Sequence, residues 1–177
     1  TAYLCKALTK AGLSGEAYTL LFKEDFPSWL YEVNMGATTV WERWNSVLPD
    51  GKISDTGMNS LNHYAYGAVS EWIYRSVCGI APDENTAGFK RAVLAPCPDE
   101  RFRWVKGEYA SASGLYRCGW EFEGDHILYE AEIPFDCTAE FLVPEGMAVK
   151  SVNGTPAEER ERLSLKKGVY RLILEKV

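Results

Sequence analysis

Ala81-Pro82-Asp83-Glu84-Asn85-Thr86-Ala87-Gly88 divides the sequence in two. Proline, glycine and short polar side chains are concentrated there, which is the composition of a connection rather than of a helix or strand. On its N-terminal side apolar residues recur at helical spacing, and on its C-terminal side they alternate. This change of period predicts an α+β chain: a helical part over 1–80, a linker over 81–88 and an antiparallel β-sandwich over 89–177.

The helical part starts at the first residues, Thr1-Ala2-Tyr3-Leu4, which read as the middle of a helix. Leu4, Ala7, Leu8 and Ala11 share one face until Gly12 stops the turn. Ser14 is placed to cap a second helix carrying Ala17, Leu20, Leu21 and Phe22, and Pro27 ends it. Ser28 to Val33 reads as a short aromatic helix or turn. A polar loop with Gly36, Pro49-Asp50-Gly51 and Gly57 follows. Asn59 to Ile80 predicts one long helix, with Leu61, Ala65, Ala68, Trp72 and Ser76 in a stripe that Val69, Ile73 and Val77 widen. A face this broad requires more than one neighbour. Helices beyond this chain are therefore expected, and with them absent an exposed face around Leu61, Trp72 and Ile73 predicts self-association into a homo-oligomer.

The β part reads as strands at Phe89–Leu94, Arg103–Lys106, Gly114–Phe122, His126–Pro134, Phe141–Val143, Val149–Val152 and Gly168–Leu174. Asn153-Gly154 is a hairpin-turn signal, because both residues tolerate positive φ. Seven or eight short strands at this spacing are those of a sandwich.

Composition limits the function. The 177 residues suffice for one ordinary domain or two small ones, and 46% hydrophobic residues exclude a disordered chain. A net charge of −6 without a basic stretch argues against a nucleic-acid partner. No apolar run approaches the roughly 20 residues that span a bilayer, so no membrane role is expected. The five cysteines form no CxxC and there are only two histidines, so no zinc site is expected. The carboxylates are too scattered for a calcium loop. No cofactor is implied, and free thiols favour a reducing, cytoplasmic compartment. Aromatic residues are the unusual number at 13%, and twelve of them, four being Trp, fall in residues 1–80.

Two segments concentrate potential chemistry. Gly36-Ala37-Thr38-Thr39-Val40-Trp41-Glu42-Arg43-Trp44 sets a carboxylate between two indoles. Indole faces stack on the C–H side of a sugar, and a carboxylate beside them can accept a proton, as sugar hydrolysis requires. Equally, Trp41 and Trp44 lie three apart and could be core anchors, with Glu42 paired to an arginine. Asn59-Ser60-Leu61-Asn62-His63-Tyr64-Ala65-Tyr66-Gly67 places His63 near a helix start, with Asn59 and Ser60 as N-cap candidates. There His63 is either structural or a donor to a sugar hydroxyl.

In this order, and with Pro27-Ser28-Trp29-Leu30-Tyr31 before them and Pro82-Asp83-Glu84 and Gly88-Phe89-Lys90 after, these segments resemble the bacterial α-L-rhamnosidases of glycoside hydrolase family 78. The resemblance is tight over residues 27–80 and looser beyond 100. It implies that residues 1–80 are the last helices of an (α/α)6 catalytic barrel and that 89–177 are its C-terminal β-domain. It implies inverting release of terminal L-rhamnose from α-L-rhamnosides, with Glu42 as general base. By the same resemblance His63 contacts the sugar, and Trp41 and Trp44 shape the pocket as further substrate-binding residues. The general acid of such enzymes lies on earlier barrel segments with no match here; Asp50 and Asp55 do not match its motif. The chain is therefore expected to be a C-terminal piece, inactive alone. Two other readings compete: a β module binding carbohydrate through Trp104, Trp120 and Tyr116 or acting as a structural cap, and a different (α/α)6 glycosidase.

Overall fold

The computed structural model describes residues 3–55, 57–157 and 161–177; Thr1 and Ala2 of the expected first helix lie outside them. The chain forms two compact units, Thr1–Trp72 and Ile73–Val177. The division falls within the expected helical part, because Ile73–Cys78 has its partners in the β unit. The Trp120 indole N–H donates to Val77 O at 2.7 Å, and the Cys78 thiol lies 3.4 Å from that of Cys118. Ala81 and Pro82, expected as linker, belong to a strand.

Among its described residues the first unit holds five short helices, α1 (Leu4–Lys10), α2 (Ser14–Leu21), α3 (Trp29–Asn34), α4 (Tyr64–Gly67) and α5 (Val69–Trp72). Gly12, at φ 76°, makes the turn between α1 and α2 that a Cβ would strain. Ser28 caps α3, its hydroxyl accepting the Tyr31 N–H at 3.1 Å.

The expected long helix over Asn59–Ile80 is not continuous. It begins at Tyr64, breaks at Ala68, and passes into a π-helical segment, Ile73–Cys78. Its first residues are drawn into other bonds: Asn59 binds Ser46 and Ser60 binds Glu42, so His63 becomes the cap. Trp72 is also not part of an exposed face. It is fully buried, set edge-on to Tyr18 at 5.2 Å, with its N–H donated to the Thr9 hydroxyl at 2.8 Å. That packing removes the central residue from the surface proposed for self-association. Leu61 remains partly exposed.

The second unit is a mostly antiparallel eight-stranded sheet: β1 (Ile80–Pro82), β2 (Arg91–Leu94), β3 (Trp104–Ser111), β4 (Gly114–Glu123), β5 (His126–Leu142), β6 (Met147–Val152), β7 (Thr155–Pro156) and β8 (Arg162–Lys176). With the helices of the first unit this gives the α+β class. β5 and β8 are the long central pair, in register from His126–Glu175 to Leu142–Arg162, with a bulge between Ile133 and Thr138. The bulge divides the work of β5: its first half pairs with β4, and its second half pairs in parallel with β2. The strands expected separately at 126–134 and 141–143 are therefore one, turned at Asp136 where φ is 59°. Asn153 and Gly154, both at positive φ, form the predicted turn between β6 and β7. Leu94, Tyr116, Trp120, Tyr129, Phe141, Val149, Leu172 and Leu174 form the core of this unit. All five cysteines are free, and no described helix is long and apolar enough to cross a membrane.

Candidate active site

The site is built where two non-helical stretches of the first unit run side by side. The Glu42 N–H donates to Ser60 O at 2.8 Å, and the His63 N–H donates to Val40 O at 2.8 Å. The Thr39 hydroxyl donates to Leu61 O at 2.5 Å. These bonds hold the two candidate residues, 21 apart in sequence, on neighbouring backbone. Glu42 is fixed again through its side chain, where Oε2 accepts the Ser60 N–H at 2.8 Å. Oε1 has no hydrogen-bond partner among the described residues and is available to a water or a hydroxyl.

His63 is oriented just as locally. Its Nδ1 accepts the Ala65 N–H at 3.1 Å, capping α4. In the neutral ring that bond places the proton on Nε2, as a donor. The ring stacks on Tyr64 at 5.1 Å and 14°. Glu42 and His63 line one cleft of about 540 Å³, together with Tyr3, Arg43, Tyr64 and Tyr66. The arrangement offers an acceptor oxygen, an imidazole donor and aromatic surface, the groups a sugar ring uses.

The two tryptophans of the motif occupy a different place. Trp41 is buried, with its ring edge-on to Tyr31, and Trp44 packs against Trp29 at 4.9 Å and Tyr66 at 4.7 Å. Neither is among the residues lining the cleft. They stand behind it: Trp44 backs the lining residue Tyr66, and Trp41 backs Glu42 along the chain. Asp50 does not line the cleft either, and hydrogen bonds from Lys52 hold its carboxyl below the usual range.

Two buried polar residues that support the site are not evident from motif reading. Ser46, fully buried, joins the loops: its hydroxyl accepts the Arg43 N–H at 3.2 Å and donates to Asn59 Oδ1 at 2.6 Å. Glu32 on α3 is 3% exposed and accepts the Trp41 N–H at 3.2 Å. Its one sequence signal is that it is the single acid in the aromatic run Trp29-Leu30-Tyr31-Glu32-Val33. In the β unit, Tyr116 and Trp120 are core residues rather than a sugar-facing surface, and only Trp104 of the three is exposed. Among the described residues no cluster of His, Cys, Asp or Glu is arranged to hold a metal ion.

The chain thus sets a helical unit carrying this cleft before a mostly antiparallel β unit. Residues 1–77 match the family model of the bacterial alpha-L-rhamnosidase 6 hairpin glycosidase domain, and residues 79–158 match that of the bacterial alpha-L-rhamnosidase C-terminal domain. The chain belongs to the bacterial α-L-rhamnosidase family. It is 37% identical over 175 residues to an alpha-L-rhamnosidase of Alteromonas sp. (strain LOR), covering 98% of this chain and 19% of that protein. It is 39% identical over 144 residues to one of Streptomyces avermitilis, covering 81% of this chain and 14% of that one. The crystal structure of a Streptomyces avermitilis alpha-L-rhamnosidase complexed with L-rhamnose superimposes with a TM-score of 0.84 at 33% identity, over 98% of this chain and 17% of that one. The native enzyme from Aspergillus terreus gives 0.84 at 30% identity, over 98% and 18%. The chain thus spans less than a fifth of the length of these relatives.

Proposed function

We propose that this chain is part of a glycoside hydrolase that releases terminal L-rhamnose from α-L-rhamnosides with inversion, Glu42 serving as the general base. The observation that carries the reading is that Glu42 and His63 line one cleft, with Glu42 Oε2 held by the Ser60 N–H and Oε1 without a hydrogen-bond partner among the described residues. The relatives' names, and the L-rhamnose in the Streptomyces structure, supply the substrate class.

In this mechanism the free oxygen of Glu42 takes a proton from a water. The water oxygen forms its bond to the anomeric carbon as the bond to the aglycone oxygen breaks on the opposite face. A carboxylic acid outside this chain protonates that leaving oxygen, with the two carboxyls separated by roughly 6.5–9.5 Å to admit the water. His63 donates from Nε2 to a sugar hydroxyl. Trp41 and Trp44 shape the pocket from behind rather than by stacking on the sugar. The isolated chain, lacking the acid, is expected to be inactive.

Base assistance contributes about 10²–10⁴-fold, so Glu42→Gln in the full-length protein is expected to lower kcat on an aryl α-L-rhamnoside by that range while L-rhamnose still binds. An unchanged kcat rejects Glu42 as the base. Cleavage of an aryl α-glucoside with no cleavage of the rhamnoside rejects the substrate class.

A further inference from the structure

Val40, Trp41 and Glu42 are joined to Ser60–His63 by two backbone hydrogen bonds. Val40 O and Glu42 N–H face that partner. The Trp41 N–H between them makes no bond to that partner. Trp41 is 5% exposed, and a buried backbone N–H without a partner is costly. That partner is Glu32 Oε2, at 3.2 Å. The residue next to the proposed base is therefore gripped from both sides, by Ser60–His63 on one and by a buried carboxyl of α3 on the other.

We infer that Glu32 is a positioning residue for the catalytic loop: by accepting the Trp41 N–H it fixes the backbone from which Glu42 reaches the cleft. The inference rests on the reading of Glu42 as the base. Three features separate Glu32 from an ordinary helix carboxylate. It is 3% exposed, its Oε1 has no hydrogen-bond partner, and no ion pair to it is found among the described residues. A buried carboxyl that satisfies only one backbone donor contributes little to stability, and an apolar side chain would cost less to bury. What an apolar side chain cannot do is accept the Trp41 N–H. Burial pushes the Glu32 carboxyl up, and an amide oxygen can take its place as acceptor of the Trp41 N–H.

The test uses three substitutions at this position in the full-length protein, measured on an aryl α-L-rhamnoside together with the thermal midpoint. Glu32→Leu keeps the bulk and removes the acceptor. Glu32→Asp keeps the carboxyl but withdraws it by one methylene. Glu32→Gln keeps an acceptor at the same reach. Misplacement of a catalytic group by about 1 Å can cost on the order of 100-fold, so Leu and Asp are each expected to lower kcat about 10–100-fold with KM within about twofold. Gln is expected to restore kcat to within about threefold of the parent. If Leu does not fold, Asp and Gln still decide the matter. Parental kcat in folded Leu or Asp protein, or a Gln variant as impaired as Leu, overturns the inference. Glu42→Gln measured alongside separates the two readings. Loss of kcat there with parental kcat in the Glu32 variants rejects the positioning role alone, and parental kcat in Glu42→Gln rejects the base and the positioning role with it.

Discussion

Glu42 and Ser60 are bound to each other twice: the Glu42 N–H donates to Ser60 O, and the Ser60 N–H donates to Glu42 Oε2, both at 2.8 Å. The second bond fixes the carboxylate's rotamer as well as its backbone. A backbone donor cannot be removed by truncating a side chain, but proline removes it. Ser60→Pro in the full-length protein is therefore expected to lower kcat about tenfold or more with a smaller change in L-rhamnose affinity. Steady-state kinetics and calorimetric titration read the two quantities. A folded Ser60→Pro protein with parental kcat means that the Ser60 N–H does not orient the base.

The β unit separates Trp104 from Trp120 by exposure alone, 56% against 1%. Trp120→Ala opens a cavity in the core and abandons the Val77 carbonyl, a change expected to cost about 3–5 kcal/mol. Trp104→Ala is expected to stay within about 0.5 kcal/mol, as surface substitutions do. Denaturant midpoints of the two variants measure the difference. Equal losses would show that the two side chains do not differ in packing as the structure places them.

The contrast between these tryptophans illustrates what the sequence could convey. The α+β class was legible from the change of period and the Asn153-Gly154 turn from its side chains alone, whereas the place of the division, between Trp72 and Ile73, was not. The pairing of Glu42 with His63 was legible only as a motif, because the backbone bonds between 40–42 and 60–63 join residues whose separation in sequence says nothing about contact. The long helix that the sequence predicts from Asn59 fails for the same reason. Asn59 and Ser60 have good local reasons to begin a helix, and their bonds to Ser46 and Glu42 overrule them. Trp72 presented a helical stripe whichever way it faced; only the Tyr18 edge contact and the Thr9 hydroxyl decide that it turns inward. Which of the β-strand tryptophans is buried was equally invisible, since Trp104 and Trp120 both sit in alternating runs.

Gly107 lies in β3 against the π-helical segment. A Cβ added there would sit 2.5 Å from the Cys78 sulfur and 3.6 Å from the Cys78 Cβ. The obstacle is thus one sulfur atom. Gly107→Ala is expected to destabilise by about 1–3 kcal/mol, the cost of overpacking a core. In a Cys78→Ala background the sulfur is gone, and the same substitution is expected to cost clearly less, giving a favourable coupling between the two changes. Unfolding midpoints of the parent, both single variants and the double variant form the cycle. Strict additivity would mean that the β3 backbone, not the Cys78 sulfur, excludes the methyl group.

Glu32 also makes stability depend on pH in a direction opposite to that of most carboxylates. Its desolvation raises the carboxyl above the ordinary value of 4.5, and the hydrogen bond from the Trp41 N–H offsets only part of this rise. Between that ordinary value and the raised one, the folded protein holds a proton that the unfolded chain has released. Stability contributed by this group therefore falls as pH rises through that interval, because fewer protons are bound in the unfolded state than in the folded one. Below the ordinary value both states are protonated and the group contributes no dependence. Glu32→Gln cannot ionise, so its stability relative to the parent is expected to rise with pH above about 4.5 and then level off. Comparing thermal midpoints of the two proteins from acid to neutral pH isolates this one group, since every other carboxylate is common to both. A difference that is flat across the range, or one that shrinks as pH rises, would mean that Glu32 is ionised in the fold without penalty and that the Trp41 N–H is sufficient to hold it as a carboxylate.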